Sequence, residues 1–334
     1  MTYSEALEQA ALGSTQAFEQ LVKPYRQRLH LHCYRMLGSP FDADDALQET
    51  LLAAWRGFNT FESRSALGTW LTTIATRVCL RMISQRQRRR ISSDHAPPLS
   101  STSDLGEMVS GPVWVEPIPD SELPAEAADM DDPASILSRR EDVGLAFVAL
   151  LQHLPGTQRA ALLMQDVMGY SAAETAEMLE TSVPSVTSAL QRARATLAAR
   201  AVAGAEPARL IDQPDLDAVL GSFVSAWERR DIGAMVQLLA KDARFTMPPL
   251  PAWFSGRGAV VRFLEDRVFA TAWRLLPLGG NGQPGFACYQ QQDDGHFRPG
   301  GVVLVTLSDA RIAAIDSFLD PRVCKRFGML EELV

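Results

Sequence analysis

The chain has 334 residues, 46% of them hydrophobic, and a formal net charge of -8. This length exceeds one typical domain and predicts two or three, each with enough apolar residues for a core. The acidic balance excludes uniform coating of nucleic acid, although it leaves room for a local basic patch. The four cysteines lack C-x-x-C spacing and no apolar run is long enough to span a membrane, so we expect a cytoplasmic protein without a disulfide framework.

Residues 1 to 91 predict an all-α domain. The stretches FEQLVKPYRQRLHLHCYRMLG and DADDALQETLLAAWRGF place apolar residues three and four apart. Six arginines follow within residues 77 to 90. We expect the helix that carries Arg77 and Arg81 to continue through residues 86 to 90, so that one helical edge neutralises phosphates.

Residues 92 to 135 are expected to form an extended linker. They contain ten Asp or Glu and seven Pro, with no Lys or Arg. A segment with so few apolar residues cannot build a core of its own.

Residues 136 to 204 predict a second helical domain with a helix-turn-helix. In LPGTQRAALLMQDVMGYSAAETAEMLETSVPSVTSALQRARATLAAR, Gly169 and a turn near Ser182 separate three helical stretches. Ser171 and Glu174 have the spacing of a capping box that starts the middle helix. The last helix opens with small polar residues and ends with arginines, an arrangement in which side chains read base edges and cations contact phosphates. The alternative is a plain helical hairpin with a solvated basic face.

Residues 212 to 330 predict an α+β domain with its helices first. GGNGQPGFACYQQQD, GGVVLVTLSD and ARIAAIDSFLD have the composition of strands bounded by Gly, Pro and Asp turns. The predicted fold class is therefore multidomain, with two all-α domains followed by an α+β domain. We predict no catalytic residue, no cofactor and no metal site. His30 and Cys33 have a spacing that suits a shared metal, but the apolar helix around them favours burial.

Residues 14 to 90 and 136 to 200 resemble regions 2 and 4 of the bacterial sigma-70 family, of the small extracytoplasmic-function (ECF) type without a region 3 domain. The resemblance is carried by CYRMLGSPFDADDALQETLLAAWRGF, FESRSALGTWLTTIATRVCLRMISQRQRRR and LPGTQRAALLMQDVMGYSAAETAEMLETSVPSVTSALQRAR, in the family's order. It implies a factor that binds core RNA polymerase and promoter DNA and directs initiation. Region 2 would read and melt the minus 10 element, and region 4 would read the minus 35 element. The predicted minus 35 contacts are Ser185, Thr187, Ser188, Gln191, Arg192 and Arg194.

The stretch DADDALQET predicts a helix with one acidic face. Asp42, Asp45 and Glu49 are spaced i, i+3 and i+7 beside Gln48, so they share one side of a helix. By the family resemblance these four residues contact the clamp helices of core polymerase. The alternative is a solvated acidic face at a helix N-terminus, where Asp is favoured.

Region 2 also supplies the predicted minus 10 contacts. Several aromatic residues stand just before the arginines, and unpaired bases can stack on such side chains. Trp55 and Trp70 are expected to belong to the helix core instead. Many relatives have Asn and Asp where this chain has Arg77 and Arg81, which changes the expected minus 10 preference. The predicted contacts are Phe61, Arg64, Ser65, Arg77, Arg81 and Arg88.

The linker and the third domain carry a second resemblance. GPVWVEPIPD is similar to a W-x-E-P-x-P-D signature in the linkers of sigma factors that bear an extra C-terminal domain; its alternative is a disordered spacer with one exposed Trp. Residues 212 to 328 resemble the SnoaL-like branch of the NTF2-like fold, through FVSAWERRDIGAMVQLLAKDARFTMPPLPAWFSGRGAVVRFLEDRVF and IAAIDSFLD. In similar factors this domain tunes activity.

The competing hypothesis is an enzyme or small-ligand sensor that uses the NTF2-like pocket. Some members of that family use a pocket carboxylate as a general base. A flexible linker also permits intramolecular docking of the third domain, and an unknown small ligand is compatible with the pocket. No membrane partner is expected. Candidate pocket groups are Asp316, His296, Tyr289 and Asp242.

Overall fold

The structure, a computed structural model, describes residues 2 to 61, 66 to 124, 144 to 201 and 213 to 333. The chain divides into two compact units. The first comprises residues 1–89, 122–128 and 146–204, and the second comprises residues 90–121, 129–145 and 205–334.

The N-terminal part of the first unit is a helical bundle. Ser39 caps the helix that begins at Pro40, because the Asp42 amide donates to the serine hydroxyl and proline suits the first turn. Gly38, at φ +76°, ends the preceding helix in the left-handed conformation. The helices are α1 (Tyr3–Ala11), α2 (Thr15–Val22), α3 (Arg26–Leu37), α4 (Pro40–Gly57) and α5 (Leu67–Gln85).

The core of this bundle lies between α3, α4 and α5. Tyr34, Met36, Ala43 and Leu71 are each fully buried there. His32 is also buried, and its Nε2 lies 2.9 Å from the Thr76 hydroxyl. A neutral imidazole is therefore part of an apolar core.

This histidine should make the bundle sensitive to acid. Burial, and secondarily the Arg35 charge, lowers the pKa of His32 to about 4. Because the unfolded side chain titrates near 6.5, the unfolded state binds more protons between pH 6.5 and pH 4, and stability falls as the pH falls through that window. We expect a loss of about 2 to 3 kcal/mol by pH 4.5. Urea unfolding at pH 7 and pH 4.5 should show a smaller acid-induced loss in His32→Gln, and equal losses in both proteins would contradict the prediction.

The C-terminal part of the first unit contains four further named helices among the described residues. A π-helical turn, Leu163–Val167, follows the second of them. They are α6 (Leu145–Leu151), α7 (Gly156–Leu162), α8 (Ala172–Met178) and α9 (Val183–Ala201).

The second unit is built on a six-stranded sheet in the order β2-β1-β6-β5-β4-β3. The β1 and β6 strands are parallel and the other neighbours are antiparallel. Asn281 and Gly282, both at positive φ, make the turn between β3 and β4. The strands are β1 (Leu239–Thr246), β2 (Trp253–Ser255), β3 (Trp273–Gly280), β4 (Gln283–Gln291), β5 (Phe297–Ser308) and β6 (Arg311–Phe318).

Three helices cover one face of this sheet: α10 (Gln213–Glu228), α11 (Ile232–Leu238) and α12 (Arg257–Asp266). Phe223 and Trp227 from α10 join Phe245 and Ile315 from the strands in one apolar core. On the opposite face Leu304 is also buried, and α13 (Pro321–Arg326) packs against β5.

Residues 92 to 121 of the predicted linker belong to the second unit, together with Arg90 and Ile91 from the predicted first domain. The Leu99 amide donates to the Trp253 carbonyl at 2.8 Å, and the Ile118 amide donates to Asn281 Oδ1 at 3.1 Å. Trp114 is only 5% exposed, and its indole N–H donates to the Val109 carbonyl. The alternative of a disordered spacer with an exposed tryptophan is therefore wrong, because backbone pairing with the sheet supplies the order that composition does not predict.

Candidate nucleic-acid interface

Small side chains set the geometry of the helix-turn-helix. Ala161 of α7, Ala176 of α8, and Val186 and Ala189 of α9 form a separate buried cluster. Their size lets the three helices approach closely. This close packing fixes the direction of α9, the predicted recognition helix.

Side-chain caps start both helices of the motif. The Glu174 amide donates to Ser171 Oγ at 3.2 Å, and the Ser171 amide donates to Glu174 Oε2 at 2.8 Å, so the predicted capping box is present. These hydrogen bonds hold the pKa of Glu174 below its ordinary value. At α9 the Ser185 amide donates to Ser182 Oγ at 3.3 Å. The turn between the helices is therefore defined at both ends.

Both predicted serine contacts already have side-chain partners, one just before α9 and one on it. The Ser185 and Ser182 hydroxyls lie 2.8 Å apart. Ser188 accepts a hydrogen bond from Arg192 Nη1 at 2.6 Å. Ser185 and Arg192 are exposed, and Ser188 is half-buried.

A neighbouring residue that sequence reasoning missed, Val183, is 43% exposed at the first position of α9. One turn later, the Thr187 hydroxyl donates to the Val183 carbonyl at 3.0 Å. Gln191, one turn further, is exposed. The sequence carries a signal for this exposure, because Val183 is a β-branched apolar residue directly after a polar turn. A side chain at such a helix start need not be buried.

Arg194 has a structural partner. Its Nε and Nη2 donate to the two carboxylate oxygens of Asp166 at 3.0 and 2.6 Å. This pairing raises the pKa of Arg194. The contact ties α9 to the π-helical turn and so helps to fix the direction of α9.

Three of the predicted minus 10 arginines lie in the described part of the chain, and each has a partner within the first unit. Arg77 Nη2 lies 3.0 Å from Glu180 Oε1 and 3.4 Å from the Met178 carbonyl oxygen. Arg81 pairs with Glu49 on α4. Arg88 contacts the His153 ring.

Three aromatic residues of region 2 lie close together. The centroid of the Phe61 ring lies 5.1 Å from that of Trp70 and 5.9 Å from that of Phe58, and both ring pairs are tilted. Phe58 is buried, whereas Phe61 and Trp70 are half-buried. Two further predicted contacts, Arg64 and Ser65, lie outside the described residues.

The expected continuation of α5 through residues 86 to 90 is wrong. The helix ends at Gln85, and Arg86 has an extended backbone. Arg89 is 5% exposed, and its Nε and Nη2 donate to Asp42 Oδ2 at 2.9 and 2.7 Å. Arg86 pairs with the other oxygen of Asp42. The attraction of the buried carboxylate favours this turn back onto α4 over further helix.

The acidic face of α4 separates into a buried and an exposed part. Asp42 is 8% exposed and already satisfied by the two arginines. The side chains of Asp45 and Glu49 are 66% and 49% exposed, and Gln48 is exposed between them. Leu52, which lies on the same face, is 55% exposed. The exposed part thus combines acidic, amide and apolar groups.

Arg159 of α7 joins the two helical parts of the first unit. It is 3% exposed and donates to the carbonyls of Met36, Gln152 and Leu154, and to Gln152 Oε1 at 2.6 Å. Gln152 Nε2 donates in turn to the Arg35 carbonyl at 3.3 Å. Burial lowers the pKa of Arg159 to about 10, so it stays charged at neutral pH.

The four candidate pocket residues of the third domain are not brought together at one site. Asp316 pairs in register with Thr246 and Leu304, on the sheet face opposite the aromatic core. Burial raises its pKa, and the Thr246 hydroxyl donates to it at 2.8 Å.

The other three candidates are also placed away from that core. The Tyr289 hydroxyl accepts from the Leu330 amide at 2.8 Å. His296 Nδ1 lies 2.7 Å from Glu332, and Asp242 is exposed on β1. No shared catalytic geometry arises from these positions.

The His30 and Cys33 pair is engaged elsewhere. His30 Nε2 lies 2.9 Å from Asp44, and the Cys79 thiol interacts with Cys33 in the bundle core. Within the described ranges, no group of three or more His, Cys, Asp or Glu residues is placed to hold a metal ion. A search of the same ranges finds no helix long and apolar enough to cross a membrane.

Known proteins resemble the chain along nearly all of its length. The model of sigma-70 region 2 matches residues 21–89, and that of sigma-70 region 4 matches residues 144–197. The ECF RNA polymerase sigma factor SigG of Mycobacterium tuberculosis is 37% identical over 321 residues, which cover 95% of this chain and 85% of SigG. The crystal structure of the ECF sigma factor SigJ from the same species covers 92% of this chain and 98% of its own, with a TM-score of 0.59 at 21% identity.

A helix-turn-helix that packs on a second helical bundle is the architecture of a DNA-binding protein. The chain belongs to the ECF sigma factors of the sigma-70 family. Its C-terminal unit is the α+β domain that the sequence predicts, and the SigJ structure matches the fold over 92% of the chain.

Proposed function

We propose that this sigma factor acts in the cytoplasm, where it binds core RNA polymerase and directs promoter-specific initiation. Region 2 reads and melts the minus 10 element, and region 4 reads the minus 35 element. The SnoaL-like unit tunes this activity and performs no chemistry of its own. The last point is supported by the separation of Asp316, Tyr289, His296 and Asp242.

The observation that carries the proposal is the exposed edge of α9. The motif is capped and packed by the Ala161 cluster, while Val183, Thr187 and Gln191 remain exposed along one helix. A recognition helix needs this combination of a fixed direction and free side chains.

The pairing of Arg77 with Glu180 is compatible with a minus 10 role. The two side chains are 49% and 73% exposed. Exposed ion pairs contribute only about 0 to 1 kcal/mol, so release of Arg77 costs little compared with a phosphate contact. The contact with region 4 therefore need not prevent Arg77 from reaching DNA once polymerase separates the two regions.

Core polymerase should dock on the exposed part of the acidic α4 face. We expect Asp45→Ala to weaken binding to core polymerase at least about fivefold, or about 1 kcal/mol, because a carboxylate facing a basic partner is lost. Glu19→Ala, which removes an exposed carboxylate from α2, is the matched control. Equal affinity of the two variants in a competition binding assay would contradict the assigned docking face.

Run-off transcription tests the function as a whole. Core polymerase and the full chain should together initiate at defined sites in genomic DNA, and core polymerase alone should not. Gln191→Ala should reduce initiation while leaving binding to core polymerase unchanged. Absence of any defined start site would overturn the proposed function.

A further inference from the structure

The exposed edge of α9 presents methyl groups where a recognition helix contacts base edges. Val183 is 43% exposed at the start of the helix, and Thr187 and Gln191 follow at i+4 and i+8. Residues with this spacing stay within about 80° of one helical face and span about 12 Å. That length corresponds to about three or four base pairs of B-DNA.

The hydrogen bonds already made along this edge determine which of its groups can contact DNA. The Thr187 hydroxyl is used within the helix, since it donates to the Val183 carbonyl at 3.0 Å. That hydroxyl has no proton left to donate to a base, and the apolar groups that this edge presents are the methyl group of Thr187 and the two methyl groups of Val183. In the major groove the thymine C5-methyl is the apolar group that distinguishes one base from the others.

The neighbouring polar side chains differ in whether they can contact phosphates or bases. Arg194 is paired with Asp166 and Arg192 with Ser188, so both arginines are directed along the protein surface. Such cations suit phosphates, which position the helix without reading sequence. The Gln191 amide has the donor and acceptor pair that matches adenine.

We propose that Val183 and Thr187 are specificity-determining residues that read thymine methyl groups in the minus 35 element, with Gln191 beside an adenine. The inference rests on the proposed function and refines it, because it names the bases that region 4 selects. Val183 thereby joins the residues that contact bases. Arg194, a predicted minus 35 contact, is assigned no contact with a base.

The test uses holoenzyme assembled from the full chain and core polymerase. A promoter is first selected from duplex DNA randomised across the minus 35 element, and binding is measured by competition. Each thymine is then replaced by deoxyuridine, which pairs identically and lacks only the C5-methyl. At one or two positions the wild type should lose about fourfold in affinity, the factor expected for one buried methyl group.

The protein variants remove the matching methyl groups. Val183→Ala should weaken binding to thymine DNA about fourfold and abolish the difference between thymine and uracil at one position. Thr187→Ser keeps the hydroxyl and should do the same at a neighbouring position. Both variants should fold, since the replaced side chains are exposed and alanine favours helix.

Two controls separate base reading from general effects. Leu276→Ala removes an apolar side chain of equal exposure, 44%, from the second unit and should leave thymine discrimination intact. Arg192→Ala should weaken binding to all sequences and lower the salt dependence.

Three results would overturn the inference. The first is a wild-type holoenzyme indifferent to uracil at every minus 35 position, and the second is full discrimination in both Val183→Ala and Thr187→Ser. The third is a selected element without thymine. A holoenzyme that selects no promoter would instead overturn the proposed function, and this inference with it.

Discussion

Replacing Arg159 with methionine should lower the stability of the first unit by about 3 kcal/mol, because it leaves several buried carbonyl groups without a donor. The guanidinium donates to carbonyls of Met36, Gln152 and Leu154, which lie on both sides of the contact between regions 2 and 4. Methionine fills much of the same volume, so the loss reports the hydrogen bonds more than a cavity.

Amide hydrogen exchange measures this loss locally. Peptides from α3 and α7 should show the reduced opening free energy in Arg159→Met, while peptides from the second unit should not change. Arg194→Met is the matched control, since that arginine is 60% exposed and pairs with the Asp166 carboxylate at the surface. Unchanged protection of α3 in Arg159→Met would show that the two regions are held together by other contacts.

Asp42→Ala should destabilise region 2 by about 3 kcal/mol, since the buried Arg89 would lose the carboxylate that accepts two of its hydrogen bonds. Arg89 is 5% exposed and makes two hydrogen bonds to Asp42. By contrast, Asp45→Ala should leave the thermal midpoint unchanged and act on polymerase binding alone. Two carboxylates three residues apart are therefore expected to have separate roles.

A double replacement makes the Asp42 prediction specific. Asp42→Ala together with Arg89→Met should recover part of the stability, because the buried guanidinium is removed together with the carboxylate that it contacts. Thermal unfolding of the four proteins in the cycle measures the coupling. Additive losses, with no recovery in the double variant, would show that the Asp42 and Arg89 pair is not the cause.

Local patterns were predictable where a few neighbouring residues decide the outcome. The capping box of Ser171 and Glu174 depends only on spacing, and the structure contains it. The helix-turn-helix follows from helical periodicity interrupted by one turn, and the family models match the same stretch. The resemblance to sigma regions in family order likewise depended on the chain alone.

Long-range charge pairing was not predictable in the same way. The arginines at 86 and 89 continue a helix by local preference, yet both turn back to Asp42, 44 and 47 positions earlier in the chain. Which carboxylate becomes buried depends on how α4 and α5 pack. The separation of Asp42 from Asp45 and Glu49 is for this reason visible only in the folded bundle.

The order of residues 90 to 121 has a related cause. Their composition predicts an extended segment, and the backbone is indeed largely free of helix. Their hydrogen bonds, however, go to Trp253 and Asn281, more than 150 positions later. A segment without a core of its own becomes ordered on a surface that another domain supplies.

Periodicity, caps and motif order are properties of neighbouring residues, so the class of each domain and the family could be predicted from the chain alone. Which side chains remain available for partners depends instead on tertiary packing. Packing buried Asp42 and Arg159, left Asp45 and Val183 exposed, and placed Asp316 opposite the aromatic core. These outcomes depend on contacts between residues far apart in the chain. The free energy of burying and pairing such residues exceeds the local conformational preference of each segment.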